Sequence, residues 1–139
     1  MKTYNCESCG KEKVFDAHRK ANRYCSIQCQ MDCRYKEYIT EWLSGNVTGT
    51  NKNGASKHIK RYILEKQNNR CAKCNIDSWN NNPIVLELEH KDGNSQNNSL
   101  DNLECLCPNC HSQTPTYKNR NQGNGRHARR IRYAEGKSF

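Results

Sequence analysis

The fold of this chain is decided by three short stretches, which read CAKC at 71–74, LELEH at 86–90 and CPNCH at 107–111. Two Cys-x2-Cys pairs at this spacing are typical of a closed tetrahedral zinc site. His90 and His111 lie outside the set of cysteines, beside acidic and amide groups, and such donors suit an open site for a harder cation. We therefore predict two metal sites, of which the first holds the backbone for the second. The predicted structural zinc ligands are Cys71, Cys74, Cys107 and Cys110.

The composition limits how a chain of 139 residues can be stabilised. Only 33% of the residues are hydrophobic and the mean hydropathy is -1.17, so a large apolar core is excluded and metal or disulfide crosslinks are needed. No apolar stretch follows Met1-Lys2, so we expect neither a secretory signal nor a membrane span. In the reducing cytoplasm that this implies, the ten cysteines favour zinc over disulfides.

A group of cysteines near the start of the chain predicts a second zinc site. Gly10 follows a Cys-x2-Cys pair and suits the tight turn of a zinc knuckle, and a Cys-x3-Cys pair comes 15 residues later. His18 and Cys33 lie close enough in sequence to compete as ligands, although a buried apolar role fits Cys33 better. We therefore expect one or two zinc ions. The predicted ligands of this second site are Cys6, Cys9, Cys25 and Cys29.

Apolar residues at helical spacing predict two helices, one that continues to about Leu43 and one over residues 55–67. Between them, residues 44–54 have three glycines and no periodicity, which is typical of a linker. The predicted organisation is a zinc-knuckle and helix module at 1–43, a linker at 44–54, a second module at 55–117 and a basic tail at 118–139. The predicted inner stripes of the helices are Met31, Tyr35, Tyr38, Ile39 and Trp42, and then Ile59, Tyr62 and Ile63.

The second module is predicted to be a hairpin followed by a helix, which makes the fold class small α+β. Residues 84–89 alternate with period two, residues 103–106 can form the return strand, and a polar loop joins them. Pro108 suits the first turn of the helix, and Pro115 ends it within about two turns. One cysteine pair of the predicted zinc site precedes this unit, and the other belongs to it.

The formal net charge of +9 favours nucleic acid as the partner. The basic residues are concentrated on the second helix and in the tail, where residues 118–132 contain no acid. A solvated helix face and a solvated tail are the alternatives. The predicted DNA-contacting residues are Lys57, Lys60, Arg61, Lys118, Arg120, Arg126, Arg129, Arg130 and Arg132.

Several motifs of the second module resemble those of the HNH endonucleases, a family of the ββα-metal nuclease class. LEHKDGN at 88–94, Asn98, LDNL at 100–103 and LCPNCH at 106–111 match the family in content and spacing. The resemblance covers approximately residues 55–125. It implies a ββα-metal nuclease fold for the second module.

The closer likeness is to phage homing-type HNH endonucleases, which carry an N-terminal zinc knuckle and a basic tail. YCSIQC at 24–29 and RNQGNGR at 120–126 carry it. The resemblance implies hydrolysis of phosphodiesters in double-stranded DNA, with 3′-hydroxyl and 5′-phosphate products. One such site cuts one strand, so a monomer would nick, whereas double-strand cleavage needs a homodimer or two visits.

The resemblance also implies roles for individual residues. His90 would be the general base, since a neutral imidazole suits that task near about pH 7. Glu89 and His111 would bind the catalytic Mg²⁺ or Mn²⁺, and His111 would also admit Ni²⁺, Co²⁺ or inhibitory Zn²⁺. Asn102 would brace the loop between the strands so that the His90 ring is correctly aimed.

Glu89 departs from the family, in which Asp or His often precedes the base. Neighbouring residues of a strand point to opposite faces, so Glu89 and His90 can share a site only at a frayed or twisted strand end. Another nearby oxygen is therefore an alternative metal ligand. Two alternatives for the function also stay open, namely a zinc-knuckle DNA-binding protein that does not cut and a restriction or defence HNH nuclease.

Overall fold

The computed structural model describes residues 1–52, 54–120, 130–131 and 133–136. The chain divides into two compact units, Met1–Ser44 and Gly45–Phe139. Each unit contains one group of four cysteines, so each has its own crosslinking point. The coarse fold prediction, a small α+β protein with two four-cysteine clusters, is confirmed.

The first unit is a hairpin followed by one long helix. Strand β1 (Thr3–Asn5) pairs antiparallel with β2 (Glu12–Val14), and Gly10 takes a φ of 74° in the turn between them. Helix α1 (Ile27–Leu43) begins where the Ser26 hydroxyl caps it by accepting from the Cys29 amide. Its buried residues are Tyr35, Ile39 and Trp42. Two other members of the predicted stripe differ, since Met31 is exposed and Tyr38 is only half-buried.

Two short hairpins flank the second helix. Strands β3 (Thr50–Asn51) and β4 (Gly54–Ala55) pair ahead of helix α2 (Lys57–Lys66). Strands β5 (Ser78–Trp79) and β6 (Asn82–Pro83) pair after it. The turn of this later hairpin uses two asparagines at positive φ, a conformation that asparagine tolerates better than most residues.

The predicted hairpin and helix form the core of the second unit. Strand β7 (Glu87–His90) pairs antiparallel with β8 (Leu103–Leu106), with Glu89 opposite Glu104, and helix α3 (Pro108–Ser112) packs on both strands. A 3-10 turn at Leu100–Asn102 leads into β8. The first strand is shorter than predicted, because Pro83 pairs in the preceding hairpin and the Ile84 amide donates to the Asp77 carbonyl.

Helix α2 covers β8 with two isoleucines. Ile59 and Ile63 are buried, and the half-buried Tyr62 is the remaining member of the predicted stripe. At the end of the helix the Gln67 side-chain amide both donates to and accepts from the Cys105 backbone, at 2.9 Å each. This pairing occupies an edge of β8 that would otherwise lack a partner strand. Cys105 itself is fully buried.

The segment predicted as a linker has regular structure in part. Residues 45–54 belong to the second unit, and the β3–β4 pairing places Thr50 against the loop between β7 and β8, where it bonds to Asn98. Its glycines serve the turns, with positive φ at Gly45, Gly49 and Gly54. No helix among the described residues is both long enough and apolar enough to cross a membrane.

Candidate metal and catalytic site

Each of the two four-cysteine groups is arranged as one cluster. In each group the four sulfur atoms all lie within 4.8 Å of one another, and none of the ten cysteines forms a disulfide. Neither His18 nor Cys33 belongs to a group of this kind among the described residues, and the Cys33 sulfur lies 3.6 Å from a Glu37 oxygen. The clusters are Cys6, Cys9, Cys25 and Cys29 in the first unit, and Cys71, Cys74, Cys107 and Cys110 in the second.

The sulfur spacing fits zinc. The separations are 3.6 Å for Cys9 and Cys25, 3.4 Å for Cys25 and Cys29, and 3.7 Å for Cys74 and Cys107. Four thiolates at the Zn–S bond length would lie about 3.8 Å apart in a tetrahedron, whereas a disulfide would bring two sulfurs to about 2.05 Å. Four sulfurs in this arrangement are the donor set of a structural zinc site.

Backbone amides prepare one thiol of each cluster for deprotonation. Burial alone would raise the pKa of Cys6, but amide donors, among them that of Cys25, lower this pKa to about 6. The pKa of Cys71 is likewise lowered to about 6 against its burial. In the first cluster the neighbouring sulfur atoms have the opposite effect on Cys25. Hydrogen bonds with Cys29 and Cys9 raise the pKa of the Cys25 thiol to about 12. A divalent cation removes this conflict because it stabilises all four thiolates.

Helix α3 places His111 between two carboxylates of β7. The His111 Nε2 atom lies 2.8 Å from a Glu89 oxygen, and its Nδ1 atom lies 2.5 Å from a Glu87 oxygen. Glu87 and Glu89 are two residues apart in the strand and therefore face the same side of the hairpin. The structure thus brings together Glu89 and His111, the two residues that the resemblance names as metal ligands, and adds Glu87, for which no motif predicts a role.

The Glu89 carboxylate is held in a largely buried position. Its side chain is 7% exposed, against 46% for Glu87, and its second oxygen accepts a 2.8 Å hydrogen bond from the Thr116 hydroxyl. The Tyr117 ring meets the His111 ring edge-on at 5.1 Å. A fixed, desolvated carboxylate next to an imidazole is suited to hold a cation, since the two donors need little reordering.

His90 is the last residue of β7, and its ring contacts the loop between the strands. Its Nε2 atom lies 2.7 Å from the Asn98 side-chain oxygen, and Asn98 is only 2% exposed. Asn98 is among the residues that resemble the HNH family motifs, but the resemblance implies no role for it. An asparagine-rich loop beside a strand-end histidine was the available signal.

Asn102 braces this loop from within. Its side-chain oxygen accepts from the Asp92 amide at 3.1 Å, and its nitrogen donates to an Asp92 oxygen and to the Asn97 carbonyl. Burial would raise the pKa of Asp92, but hydrogen bonds from Asn97, the Asn94 backbone and Asn102 lower it below its usual value. The ionised carboxylate of Asp92 and the buried amides of Asn98 and Asn102 therefore hold the loop in place. Asn102 makes no hydrogen bond with His90 within the described part of the chain.

Comparison with known proteins gives the chain a relative. It is 44% identical over 97 residues to the H-N-H endonuclease F-TflIV of Escherichia phage T5. The chain is homologous to a phage HNH endonuclease. The resemblance inferred from the sequence is thereby confirmed. The matched part is 68% of this chain and 40% of the phage T5 protein, so the chain spans about two fifths of that HNH relative.

Two other comparisons add nothing to the HNH relationship. No protein-family model matches the sequence. No solved structure matches the fold.

The predicted DNA-contacting residues of this chain have different surroundings. Lys57 is exposed, Lys60 is half-buried, and Arg61 forms a 2.9 Å ion pair with Glu65. Arg120 is part of the fold, since its guanidinium donates to the Thr114 and Ser112 carbonyls just after α3. The Lys118 ammonium lies 5.0 Å from the centre of the Tyr117 ring, and Arg130 is exposed. Three further residues lie outside the described residues, namely Arg126, Arg129 and Arg132.

Proposed function

We propose that this chain is a metal-dependent DNA endonuclease of the HNH type, which hydrolyses phosphodiester bonds with water activated by His90. One observation carries the proposal: in a chain homologous to a phage HNH endonuclease, a buried Glu89 carboxylate contacts His111, next to the strand end that bears His90. Strands β7 and β8 with helix α3 would form the ββα nuclease module. The zinc-type clusters would be structural, with one Zn²⁺ in each unit.

Glu89 and His111 are the residues that would hold the catalytic cation. A carboxylate oxygen and an imidazole nitrogen at 2.8 Å form a mixed donor pair that suits Mg²⁺ or Mn²⁺, and the nitrogen also admits Ni²⁺ or Co²⁺. When bound, the cation would neutralise the negative charge that develops on the phosphate and on the leaving oxygen. Thr116 keeps Glu89 in place, and Glu87 fixes the His111 ring from its other nitrogen.

His90 would take the proton from the attacking water. An imidazole is the side chain best matched to this task near neutral pH, and general-base catalysis contributes on the order of 10² to 10⁴ in rate. Asn102 would serve the reaction indirectly, since its bonds to Asp92 and Asn97 fix the loop that contacts the ring. In this mechanism no protein group forms a covalent bond with DNA.

The net charge of +9 favours nucleic acid as the partner, and the likeness to HNH endonucleases makes double-stranded DNA the proposed substrate. Phosphate contacts by Lys57, Lys60 and the tail would position the duplex without reading its sequence. One site of this type cuts one strand, so the expected first product is a nick. A monomer would leave this nick in one strand. A double-strand break would require a homodimer, or a second binding and cleavage event on the other strand.

Plasmid conversion is the test of the proposed activity. Zinc-loaded protein is incubated with supercoiled plasmid, with and without added Mg²⁺ or Mn²⁺. The expected result is open circular DNA that appears only with the added cation. Salt-sensitive DNA binding without cleavage on plasmids that contain many different sites would favour the alternative of a non-cutting DNA-binding protein.

Replacing Glu89 by glutamine is expected to weaken Mn²⁺ binding by roughly tenfold or more, because the amide lacks the charge that a carboxylate brings to a cation. Calorimetric titration of the zinc-loaded protein with Mn²⁺ measures this effect. Glu12→Gln is the matched control, since Glu12 is an exposed carboxylate of the first unit and belongs to neither the histidine site nor a four-cysteine cluster. Equal losses in both variants would contradict a specific role for Glu89.

Removing the basic tail is expected to weaken DNA binding and to flatten its salt dependence. Each lost phosphate contact should reduce the slope of log K against log salt by about 0.9. The cut belongs after Arg120, because this arginine ties down the segment that follows α3 and must be kept. Fluorescence anisotropy at several salt concentrations measures the slope. An unchanged slope in the 1–120 protein would show that the tail does not contact DNA.

A further inference from the structure

We infer that Asn98 and Thr50 are positioning residues that place the proton of neutral His90 on Nε2 and leave Nδ1 as the proton-accepting atom. The inference rests on the proposed role of His90 as general base, and it names the atom and the residues that control it. Three side chains carry it, those of His90, Asn98 and Thr50, and the directions of their described hydrogen bonds agree with one another.

The orientation of the Asn98 amide follows from its partners. The Asn98 nitrogen lies 3.4 Å from the Ser95 carbonyl oxygen, which can only accept. It also lies 2.8 Å from the Thr50 hydroxyl, whose own proton is directed to the Gln96 carbonyl at 3.4 Å. Because the amide nitrogen faces these two acceptors, the amide oxygen must face His90.

The amide oxygen in turn fixes the tautomer of His90. At 2.7 Å from the Asn98 oxygen, Nε2 must carry a proton, since two acceptors at this distance would repel each other. In the neutral ring Nδ1 then holds the lone pair. Among the described residues no hydrogen bond occupies Nδ1, so this atom is available to take a proton from water.

Burial of Asn98 keeps the orientation of its amide, and therefore the tautomer of His90, fixed. Asn98 is 2% exposed, so its amide cannot exchange its partners for water without a cost. Thr50 comes from the β3–β4 hairpin, 48 residues away in sequence, and the network therefore ties that hairpin to the tautomer of the base. An amide rotated by half a turn would present its nitrogen to Nε2 and would favour the opposite tautomer.

Nitrogen NMR of the histidine rings tests the inference without cleavage. Zinc-loaded protein without Mg²⁺ or Mn²⁺ is measured at about pH 8, where an ordinary imidazole is neutral. The expected result is a His90 Nε2 proton that exchanges slowly in the natural protein and rapidly in Asn98→Ala. A proton on Nδ1 in the natural protein, or the same Nε2 signal in Asn98→Ala, would overturn the inference. This outcome does not depend on whether the protein cuts DNA.

A matched pair of variants at Thr50 separates positioning from packing. Thr50→Val keeps the shape and removes the hydroxyl, whereas Thr50→Ser keeps the hydroxyl. The maximal cleavage rate should fall about tenfold in Thr50→Val, with little change in DNA affinity, and should recover in Thr50→Ser. The NMR spectrum of Thr50→Val should show part of the His90 rings with the proton on Nδ1. Equal cleavage and equal spectra in Thr50→Val and Thr50→Ser would overturn the role of the hydroxyl.

Discussion

His90→Ala is expected to lose DNA cleavage by about 10² to 10⁴-fold while it retains zinc and DNA binding. The ring is proposed to act on the attacking water, and its hydrogen bond to the Asn98 oxygen is its one hydrogen bond to a described residue. Removing the ring therefore costs the reaction far more than it costs the fold. Plasmid nicking gives the rate, anisotropy with labelled duplex gives the affinity, and elemental analysis gives the zinc content.

The control for this variant is His18→Ala. His18 is an exposed histidine of the first unit that lies outside the four-cysteine cluster, so its loss removes an imidazole without touching the proposed site. Cleavage by this variant should match that of the natural protein. If His90→Ala also lost zinc or DNA binding, His90 would be structural. If it cut at the natural rate, the base would be another group.

Cys71→Ser should release one of two zinc ions and unfold the second unit. Structural zinc contributes about 10–16 kcal/mol of apparent binding free energy, which is comparable to the whole stability of a small domain, about 5–15 kcal/mol. Cys71 is 2% exposed and its backbone is bonded to residues 75 and 76, so its loss opens the cluster from within. Zinc stoichiometry and thermal melting followed by circular dichroism measure the two effects.

Cys105→Ser is the matched control for the zinc prediction. Cys105 is also fully buried in the second unit, yet its sulfur is outside the cluster. Burial raises the pKa of this thiol to about 11, as expected for an uncharged core group. This variant should keep both zinc ions and melt cooperatively at a moderately lower temperature. Two zinc ions retained in Cys71→Ser, with an unchanged melting curve, would contradict the four-sulfur site.

The spacing of the cysteines was enough to predict the two clusters. A Cys-x2-Cys turn brings two sulfurs to one point through local backbone geometry alone, so the sequence carries this information directly. The alternating residues 84–89 likewise predict strand β7, and Pro108 predicts the start of helix α3. The match of motifs around His90 and His111 predicted the HNH relationship, which the phage T5 relative confirms.

The surroundings of the histidines were decided by the tertiary structure. Glu87 reaches His111 across 24 residues of sequence, and Thr50 reaches Asn98 across 48. Periodicity did place Glu87 and Glu89 on one face of a strand, but it did not reveal that helix α3 would bring His111 between them. The sequence also could not predict that Asn98 is the residue in contact with His90, since the loop contains several asparagines with equivalent side-chain amides.

The sequence by itself therefore determined the two four-cysteine clusters and the order of strand β7, strand β8 and helix α3, because these depend on local spacing, and its resemblance to the HNH endonucleases named the candidate base. Only the tertiary structure decided which carboxylates contact His111 and which amide fixes the His90 ring. The physical reason is that these contacts form between elements distant in sequence, when the hairpin closes and helix α3 packs against it.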